Sequence, residues 1–528
     1  MTTNSTPEQS YWTNLVEKTR ETLHILKNQQ TGQLQVLNDA LYTQWVNSND
    51  AALWQHIGLL PPAYPEWLGS QTFTAAHRTR FPYIVGEMAN GIATAEMVIA
   101  SVKAGMMGFF GAAGLMPAVI EKNIHVINNA LGHNADAWGS NLIHSPQEPH
   151  LEEKAVDLYL HYGVRRVSTS AYMSLNPNVV YYACKGLTAT PEGEIVRQNF
   201  ILAKISRPEI AKLFMSPAPQ KILSDLVAAK KLTPEEAALA AHIPLAEDIT
   251  VEGDSGGHTD NRPLTALFPT IYKLAEQLTQ QYGYRTPIRV GAAGGLGTPS
   301  AIAAAFSMGA AYVLTGSVNH IAVESGLSEE GKQMLAQAGI ADVAMAAAAD
   351  MFEMGVKLQV LKRGTLFSGR ANKLYDIYSQ NKSLEAISDE QKKILETQIL
   401  NRSLDSIWEE TMAFFKDRDP AQLSKAEKDA KHKMALVFRW YLGLSSRWAI
   451  AGDSSRKSDY QIWCGPAMGA FNDWVRGSFL EALSERTVEQ IGKNLLEGAA
   501  VILRAQQLRS YGFQLPAETF DYSPRRLA

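Results

Sequence analysis

Residues 288–317 read IRVGAAGGLGTPSAIAAAFSMGAAYVLTGS, and this stretch decides the fold. Its pattern predicts a strand over residues 288–291, a glycine turn over 294–297, a helix to about residue 308 and a second strand over 311–314. The Thr-Pro pair before the helix supplies an N-cap and a first helical residue that needs no N–H. Two strands joined by a helix form a right-handed βαβ unit, so the stretch predicts part of a parallel sheet.

The turns after both strands are rich in small residues. Gly294 and Gly295 follow the first strand, and Gly316 and Ser317 follow the second. Both turns then lie at the carboxyl edge of the sheet, where backbone N–H groups and a helix N-terminus can bind a phosphate. Glycine turns also occur merely to let a helix pack closely on a sheet. Two such turns at one edge favour a phosphate site, which the last two strands of an eight-stranded βα barrel often provide.

Six further strand segments precede this stretch, each followed by helix or turn sequence. They are predicted at residues 82–85, 107–110, 124–127, 164–167, 200–203 and 248–251. Eight strand–helix units favour closure of the sheet. The chain is therefore predicted to contain a (β/α)8 TIM barrel, an α/β fold of about 250 residues.

Helical sequence surrounds the predicted barrel. Residues 1–75 are expected to form an N-terminal helical arm, in which residues 9–27 are the clearest helix. Residues 76–320 are expected to form the barrel, with an inserted helical pair at about residues 215–245. Residues 321–528 show heptad-like apolar spacing and no strand pattern, so they predict a C-terminal all-helical domain.

The composition restricts the class of protein. The chain has 528 residues, of which 46% are apolar, and a formal net charge of −4, so it has no overall basic surface for nucleic acid. Its two cysteines, Cys184 and Cys464, lack metal-binding spacing and are typical of a reducing compartment. The polar start shows no signal peptide, and Lys103 and several glycines interrupt the apolar residues 97–120. We therefore expect a cytoplasmic protein without a membrane span or a metal site.

Active groups of a barrel are expected at the carboxyl ends of its strands. The candidates there are Glu87, Asn90, Asn129, Ser168, Thr169, Lys204, Asp254 and His258. His258 follows Gly256 and Gly257 and titrates near neutral pH, which predicts a proton donor, although a histidine after two glycines is also a common turn residue. Lys204 is either a cation in the barrel mouth or a surface lysine. Asn129 either bonds a ligand ring or caps the next turn.

Several of these residues together resemble a known superfamily, that of the flavin-dependent nitronate monooxygenases. The matching residues are Met88-Ala89, Asn129, Lys204, the run Glu252 to His258, Gly294-Gly295 and Gly316-Ser317. Four further motifs, at residues 349–353, 358–365, 433–442 and 459–472, are similar to the PfaD family. Its members are the stand-alone enoyl reductases of polyunsaturated fatty acid synthases and trans-acyltransferase polyketide synthases. The resemblance extends over about residues 60–515.

The resemblance implies an enzyme that uses NADPH and FMN to reduce the 2,3-double bond of enoyl thioesters on acyl carrier protein. His258 is then the catalytic proton donor to the enolate, and Lys204 stabilises the electron-rich end of the reduced flavin. The residues expected to contact the cofactor are Met88, Ala89, Asn129, Lys204, Gly256, Gly257, Gly294, Gly295, Gly316 and Ser317. Asp254 and Ser255 either orient the His258 imidazole or only satisfy the turn.

Two other functions stay open at this point: a nitronate monooxygenase-like oxidase, and a non-catalytic subunit that binds a phosphate ligand. The large helical extension favours the carrier-dependent reductase, and it could bury a homodimer contact. The basic residues in 362–373 and 416–433 are either solvated helix faces or contacts for a ligand phosphate and the carrier protein. Trp463, Phe471 and Trp474 are either core aromatics or a substrate wall.

Overall fold

The computed structural model describes residues 7–48, 52–132, 135–146 and 148–528, with side chains from residue 11 onward except at residue 417. The polar start of the chain, residues 1–6, lies outside these ranges. The N-terminal region contains a three-stranded antiparallel sheet of order β2-β1-β3 as well as helices. Its elements are α1 (Pro7–Glu17), β1 (Leu23–Asn28), β2 (Leu34–Asn38), α2 (Asp39–Val46), β3 (Trp54–Leu60), a 3-10 turn (Pro65–Trp67) and α3 (Gln71–His77).

The predicted helical arm is therefore wrong. The helix expected over residues 9–27 ends at Glu17, and β1 begins at Leu23. Leu23 and Ile25 of β1 are buried together with Val501 and Leu508, from the far end of the chain. A short apolar run suits either a helix or a strand, and here a distant partner stabilises the strand.

The barrel prediction is confirmed: eight parallel strands close on themselves in the order β10-β11-β13-β14-β4-β5-β6-β7. Three short strands, β8, β9 and β12, lie in the loops between them. The strands are β4 (Tyr83–Val85), β5 (Met107–Phe110), β6 (Trp138–Ile143), β7 (Arg166–Ser170), β8 (Thr188–Ala189), β9 (Ile195–Val196), β10 (Phe200–Ile205), β11 (Asp248–Glu252), β12 (Gly257–His258), β13 (Arg289–Ala293) and β14 (Val313–Thr315).

The third barrel strand is not where the sequence pattern predicts it. Residues 124–127 lie within a helix, Pro117–Leu131, and the strand follows it at Trp138–Ile143. Ile120, Ile124 and Ile127 are the buried positions of that helix, which is the spacing of one helical face. The β-branched run resembles a strand, but the wider apolar period is that of a helix.

Helices cover the outside of the barrel, and two of them form the inserted pair near residues 215–245. Thr298 caps the helix Pro299–Ser307 as expected, because its Oγ1 accepts from the Ala301 N–H at 3.3 Å. The helices are α4 (Ala95–Lys103), α5 (Pro117–Leu131), α6 (Pro149–His161), α7 (Pro177–Cys184), α8 (Pro208–Met215), the inserted α9 (Gln220–Ala228) and α10 (Pro234–Ala240), α11 (Leu264–Tyr282) and α12 (Pro299–Ser307).

The C-terminal region is mainly helical, as predicted, but it also contains two strands that the pattern missed. They are β15 (Val343–Ala347) and β16 (Lys357–Leu361), and β16 also pairs with β12 of the barrel region. The helices are α13 (Glu329–Ala336), α14 (Phe367–Gln380), α15 (Asp389–Ile394), a π-helical turn (Leu395–Leu400), α16 (Leu404–Arg418), α17 (Pro420–Lys428), α18 (Ala430–Ala451), α19 (Ala467–Val475) and α20 (Val488–Ser510). Short 3-10 turns lie at Ser317–Asn319, Phe352–Met354, Ser454–Asp459, Phe479–Glu481, Leu483–Glu485 and Ala517–Phe520. These strands form because β16 pairs with partners on both sides, which a local apolar pattern does not reveal.

The last long helix, α20, returns to the barrel and packs between α12 and α4. It occupies the outer position that a helix directly after β14 would take. Two glycines permit this approach: a Cβ at Gly492 would lie 2.5 Å from the Met106 sulfur, and one at Gly498 would lie 2.6 Å from Pro299. The barrel is therefore completed by a helix from the end of the chain.

A buried ion cluster closes the amino-terminal end of the barrel. The Asp248 carboxylate accepts from Arg289 Nε at 2.6 Å and lies 3.0 Å from His77 Nε2. Burial acts to raise the pKa of Asp248, but the charges of Arg289 and His77 outweigh it and hold that pKa below its usual range. Arg166 Nε donates to the other His77 nitrogen at 3.3 Å, so both ring nitrogens are bonded.

Candidate functional site

A cavity of about 1040 Å³ opens at the carboxyl ends of the barrel strands. Its inner wall consists of the ends of the eight barrel strands and the loops that follow them. Its outer wall comes from the C-terminal region, mainly residues 349–358 and parts of α16 and α18. A cavity of this size holds a cofactor-sized ligand, and it forms only where the two regions meet.

The two glycine turns lie side by side in this cavity and form a glycine cradle, Gly294-Gly295 with Gly316-Ser317. Gly294 and Gly295 have φ angles of +85° and +72°, which disfavour other residues. A Cβ at Gly295 or Gly316 would meet nothing within 4 Å, so the backbone of both faces open space. In the part of the chain described, the turns and loops show no backbone hydrogen bond donated by Gly295, Gly316 or Ser317, whereas Gly294 continues the pairing of β13 with β14.

His258 and Asp350 form a hydrogen-bonded pair across the cavity wall. Their Nε2 and Oδ1 atoms are 3.1 Å apart. The pair exists because β12 runs antiparallel to β16, with His258 opposite Leu358. Close packing also requires Gly256, where a Cβ would lie 2.8 Å from the Cys464 backbone nitrogen. The C-terminal region thus supplies the partner of the predicted proton donor.

Asp350 changes the protonation of His258. Burial acts to lower the pKa of His258, but the charge and hydrogen bond of Asp350 outweigh it, so the pKa lies above its usual value. Both residues line the cavity, and their side chains are partly exposed. The imidazole is thus held in its charged, proton-donating form closer to neutral pH.

Asp254 and Ser255 do not hydrogen-bond the His258 ring in the described structure. Asp254 Oδ1 instead accepts from Gln359 Nε2 at 2.7 Å and from Asn261 Nδ2 at 2.9 Å. Gln359 Nε2 also donates to the Ser255 carbonyl at 2.7 Å. These bonds attach the glycine loop to β16, so Asp254 satisfies the turn and His258 is oriented by Asp350.

Lys204 lies in the barrel mouth between two carboxylates. Its Nζ is 3.0 Å from Glu87 Oε1 and 3.5 Å from Glu252 Oε1. Ser168 Oγ donates to the same Glu87 oxygen at 3.0 Å. Burial acts to lower the pKa of Lys204, but the charges of Glu252 and Glu87 outweigh it and raise that pKa. Lys204 is therefore a paired cation inside the cavity, not a surface lysine.

Asn129 is not part of the cavity, so that expectation is wrong. It lies on the exposed face of α5, because the segment before it is a helix and not the third strand. Asn141, on the true third strand β6, lines the cavity instead and donates to the Ser168 carbonyl at 3.1 Å. The other expected contacts, Met88 and Ala89 included, all line the cavity.

Among the cavity residues to which the sequence analysis gave no role are Asn141, Asp350 and His320. Asp350 lies in a quoted family motif, at residues 349–353, but no local pattern connects it with His258. His320 follows the cradle by three residues, and that proximity was the available signal. Asn141 was missed because the third strand was predicted at residues 124–127, whereas it lies at Trp138–Ile143.

Of the basic residues singled out within 362–373 and 416–433, Arg418 lines the cavity, and the others that the structure describes do not. Arg363 pairs with Asp342 at 3.4 Å, and Arg370 bonds Asp459. The other cations that line the cavity are Lys204, Lys357, Arg207, Arg439 and Arg447. Of the three aromatics considered, Trp463 lines the cavity, whereas Phe471 and Trp474 pack against each other in the core.

The two cysteines are structural. Burial raises the pKa of both Cys184 and Cys464 to about 12, so neither thiol is reactive near neutral pH. Within the described ranges, no group of three or more His, Cys, Asp or Glu residues is arranged to hold a metal ion. Among the helices of the same ranges, none is long and apolar enough to cross a bilayer.

Fold and site together define a (β/α)8-barrel protein with a large cavity at the carboxyl ends of its strands. The structure is similar to that of the enoyl reductase domain of MlnA, from the macrolactin biosynthesis cluster of Bacillus amyloliquefaciens. The TM-score is 0.80 at 39% identity, over 84% of this chain and 99% of that domain. Because nearly all of that domain is matched, this chain belongs to the same family, the PfaD-type enoyl reductases.

Curated relatives show the same similarity within longer proteins. The chain is 44% identical over 446 residues to the polyketide biosynthesis protein PksE of Bacillus subtilis, covering 84% of this chain and 58% of that protein. It is 44% identical over 450 residues to a polyunsaturated fatty acid synthase polypeptide of Thraustochytrium sp., covering 84% of this chain and 30% of that protein. Residues 381–460 match the sequence model of the inserted helical domain of [acyl-carrier-protein] S-malonyltransferase. This chain spans less than two thirds of the length of these two relatives.

Proposed function

We propose that this protein is an FMN-dependent enoyl reductase that uses NADPH to reduce the 2,3-double bond of enoyl thioesters on an acyl carrier protein. The observation that carries the proposal is that His258, held by Asp350, lies in the same cavity as the glycine cradle. Similarity to the enoyl reductase domain of MlnA supports the reaction class. The names of the relatives support polyketide or polyunsaturated fatty acid biosynthesis as its setting.

The cradle fits the phosphate of FMN. The backbone N–H groups of Gly295, Gly316 and Ser317 are available as donors, and Gly295 and Gly316 leave open space where side chains would stand. The N-terminus of α12, capped by Thr298, follows the first of the two turns and adds its partial positive charge. Gly294, Gly295, Gly316 and Ser317 would therefore hold the phosphate without a charged side chain.

When bound, FMN supplies the hydride that adds to the β-carbon of the enoyl chain. Hydride addition leaves negative charge on the thioester oxygen, and His258 donates a proton or hydrogen bond to that oxygen. Asp350 raises the pKa of His258, so the donor is charged when it is needed. A positioned acid of this kind typically contributes a factor of about 10² to 10⁴ in rate.

Lys204 contributes a second fixed positive group in the cavity. Glu87 and Glu252 keep it protonated and hold its ammonium in place. An ammonium has three N–H donors, so one is left for the electron-rich end of a reduced flavin. Its two carboxylates offset the charge, so Lys204 acts by directed hydrogen bonding more than by net charge.

The substrate would enter between the barrel and the C-terminal helices. Phe414, Leu436 and Trp440 of α16 and α18 form an apolar wall there, which suits an acyl chain. Arg418 bonds Glu148 through two nitrogens, whereas no described carboxylate pairs with Arg447. We propose that Arg447 contacts a phosphate, either of the carrier's pantetheine arm or of NADPH. Carrier docking at this mouth, a homodimer and a cytoplasmic location stay predictions.

The test is an anaerobic flavin titration. The purified protein is loaded with FMN, reduced with NADPH, and then mixed with a crotonyl thioester on an acyl carrier protein. Bleaching by NADPH and reoxidation by the thioester are expected. Reoxidation by oxygen or a nitronate but not by the thioester would indicate an oxidase, and failure to bind flavin would indicate a non-catalytic subunit.

His258→Ala tests the proton donor in the same assay. The variant is expected to bind FMN and accept hydride from NADPH as the wild type does, but to reduce the thioester about 10² to 10⁴ times more slowly. His242→Ala is the control, because His242 is exposed at the end of the helical insertion. Unchanged thioester reduction in His258→Ala would remove His258 from the mechanism.

A further inference from the structure

His320 is a buried histidine whose ring nitrogens, Nδ1 and Nε2, make no hydrogen bond of standard geometry among the described residues, although the Gly316 backbone lies near the ring. It is 4% exposed. The residue lines the large cavity. Buried polar atoms are nearly always bonded, so an unbonded imidazole at a cavity wall indicates a partner that enters the cavity.

Other buried histidines of the chain are bonded to the protein. His77 contacts Asp248 at 3.0 Å and Arg166 at 3.3 Å, and His432 Nε2 contacts Gln422 Oε1 at 2.9 Å. Neither lines the cavity. A histidine kept only for packing would be expected to be bonded in the same way, and His320 is not.

The position of His320 indicates which part of a ligand it would meet. The 3-10 turn Ser317–Asn319 starts in the glycine cradle, and His320 ends it, with its N–H bonded to the Ser317 carbonyl at 3.2 Å. Asn319 anchors the same turn by donating to the Thr315 carbonyl at 2.8 Å. His320 is therefore held next to the cradle and not at the open end of the cavity.

The protonation state of His320 limits the chemistry it can offer. Burial lowers its pKa to about 4, against a smaller raising effect of the Gly316 backbone, so the ring is neutral near pH 7. A neutral imidazole has one N–H donor and one acceptor nitrogen. A phosphate monoester on a polyol chain matches both, because its phosphate oxygens accept and its neighbouring hydroxyls donate.

We propose that His320 is a binding residue for the polyol-phosphate end of the ligand in the glycine cradle. The inference rests on the proposed function, in which that ligand is FMN and the polyol is its ribityl chain. The His320 N–H donates to a phosphate oxygen, and the other nitrogen accepts from a ribityl hydroxyl. The imidazole thereby adds a side-chain contact to a site otherwise made of backbone N–H groups.

The test compares FMN with riboflavin, which lacks the phosphate. Dissociation constants of both are measured with flavin-free wild type, His320→Leu and His320→Gln, and thermal unfolding is followed with and without ligand. His320→Leu is expected to raise the dissociation constant of FMN about 10- to 100-fold. The fold-increase in the dissociation constant of riboflavin is expected to be at least about ten times smaller. His320→Gln, which keeps a donor and an acceptor, is expected to lie between the wild type and His320→Leu.

The unfolding temperature separates binding from packing. His320→Leu removes two unbonded buried nitrogens, so the flavin-free variant is expected to be at least as stable as the wild type, with a smaller stabilisation by FMN. The control His432→Leu removes a bonded histidine, so it is expected to lower the unfolding temperature and leave the ratio of the two dissociation constants unchanged.

Equal weakening of FMN and riboflavin in His320→Leu, or no weakening of either, would overturn the inference. A marked loss of stability of the flavin-free variant would also count against it, because it would show a packing role. Failure of the wild type to bind FMN would overturn the proposed function itself, and the inference with it.

Discussion

Asp350→Asn tests how the C-terminal region contributes to the proposed chemistry. The substitution keeps the size of the side chain and removes the charge that lies 3.1 Å from His258 Nε2. The two side chains are 31% and 44% exposed, so we take the dielectric constant of the site as close to that of water. Two unit charges at this distance then attract by roughly 1 kcal/mol. That free energy corresponds to a factor of about 5 to 10 in the protonation equilibrium of His258.

The direction of the pH effect follows from the protonation of His258. Asp350 raises the pKa of the wild-type imidazole, so its donor function is complete below that pKa and is lost as the pH rises through it. In Asp350→Asn burial acts without the opposing charge, and the pKa falls. We expect kcat for thioester reduction to be about 5 to 10 times lower at about pH 7.5 and to recover at about pH 5.5.

The assay is stopped-flow absorbance of the flavin in each half-reaction between about pH 5.5 and 9. Reduction by NADPH is expected to be unchanged, and only reoxidation by the enoyl thioester should show the shifted pH profile. Asp473→Asn is the matched control, because Asp473 is exposed and pairs with Arg476 away from the cavity. A loss of the same size at every pH, or no loss, would refute the assigned role of Asp350.

Two other variants test the cavity mouth and the N-terminal region. Arg447→Glu is expected to raise the KM of phosphopantetheine thioesters about tenfold without changing the KM of pantetheine thioesters. The control Arg476→Glu should change neither KM. A rise in the KM of NADPH alone would show that Arg447 contacts the phosphate of the nucleotide. Arg504, which is fully buried, donates to the carbonyls of Lys18, Glu21 and Pro61. Arg504→Met is expected to lower the free energy of unfolding by roughly 2 to 4 kcal/mol and to expose the N-terminal sheet to proteases. Unchanged stability in denaturant titrations would show that these hydrogen bonds do not hold the N-terminal region in place.

The barrel could be predicted because its signals are local. The turn at Gly294 and Gly295 requires positive φ angles, and the cap at Thr298 acts within one helical turn. The alternation of strand and helix then leads to a parallel sheet with both turns at one edge. The same reasoning placed nearly all of the expected contact residues on one cavity, although their roles as cofactor contacts stay predictions.

The errors occur where a short apolar run is compatible with two structures. Residues 124–127 have the pattern of a strand, but Ile120, Ile124 and Ile127 form the buried face of α5. The N-terminal region has the pattern of helices, but Leu23 and Ile25 lie in a sheet that packs on α20. In both cases the deciding contact is made with another element, so the local pattern does not contain it.

By itself, the sequence determined the barrel class, the glycine cradle and the candidate donor His258, because backbone preferences and hydrophobic period act over a few residues. Only the tertiary structure decided how the donor is charged, because Asp350 reaches His258 through the pairing of β12 with β16. Only tertiary structure, too, revealed His320 as an unbonded group and Lys204 as a paired one. Protonation and hydrogen bonding depend on groups within a few ångströms in space, and those groups come from distant parts of the chain.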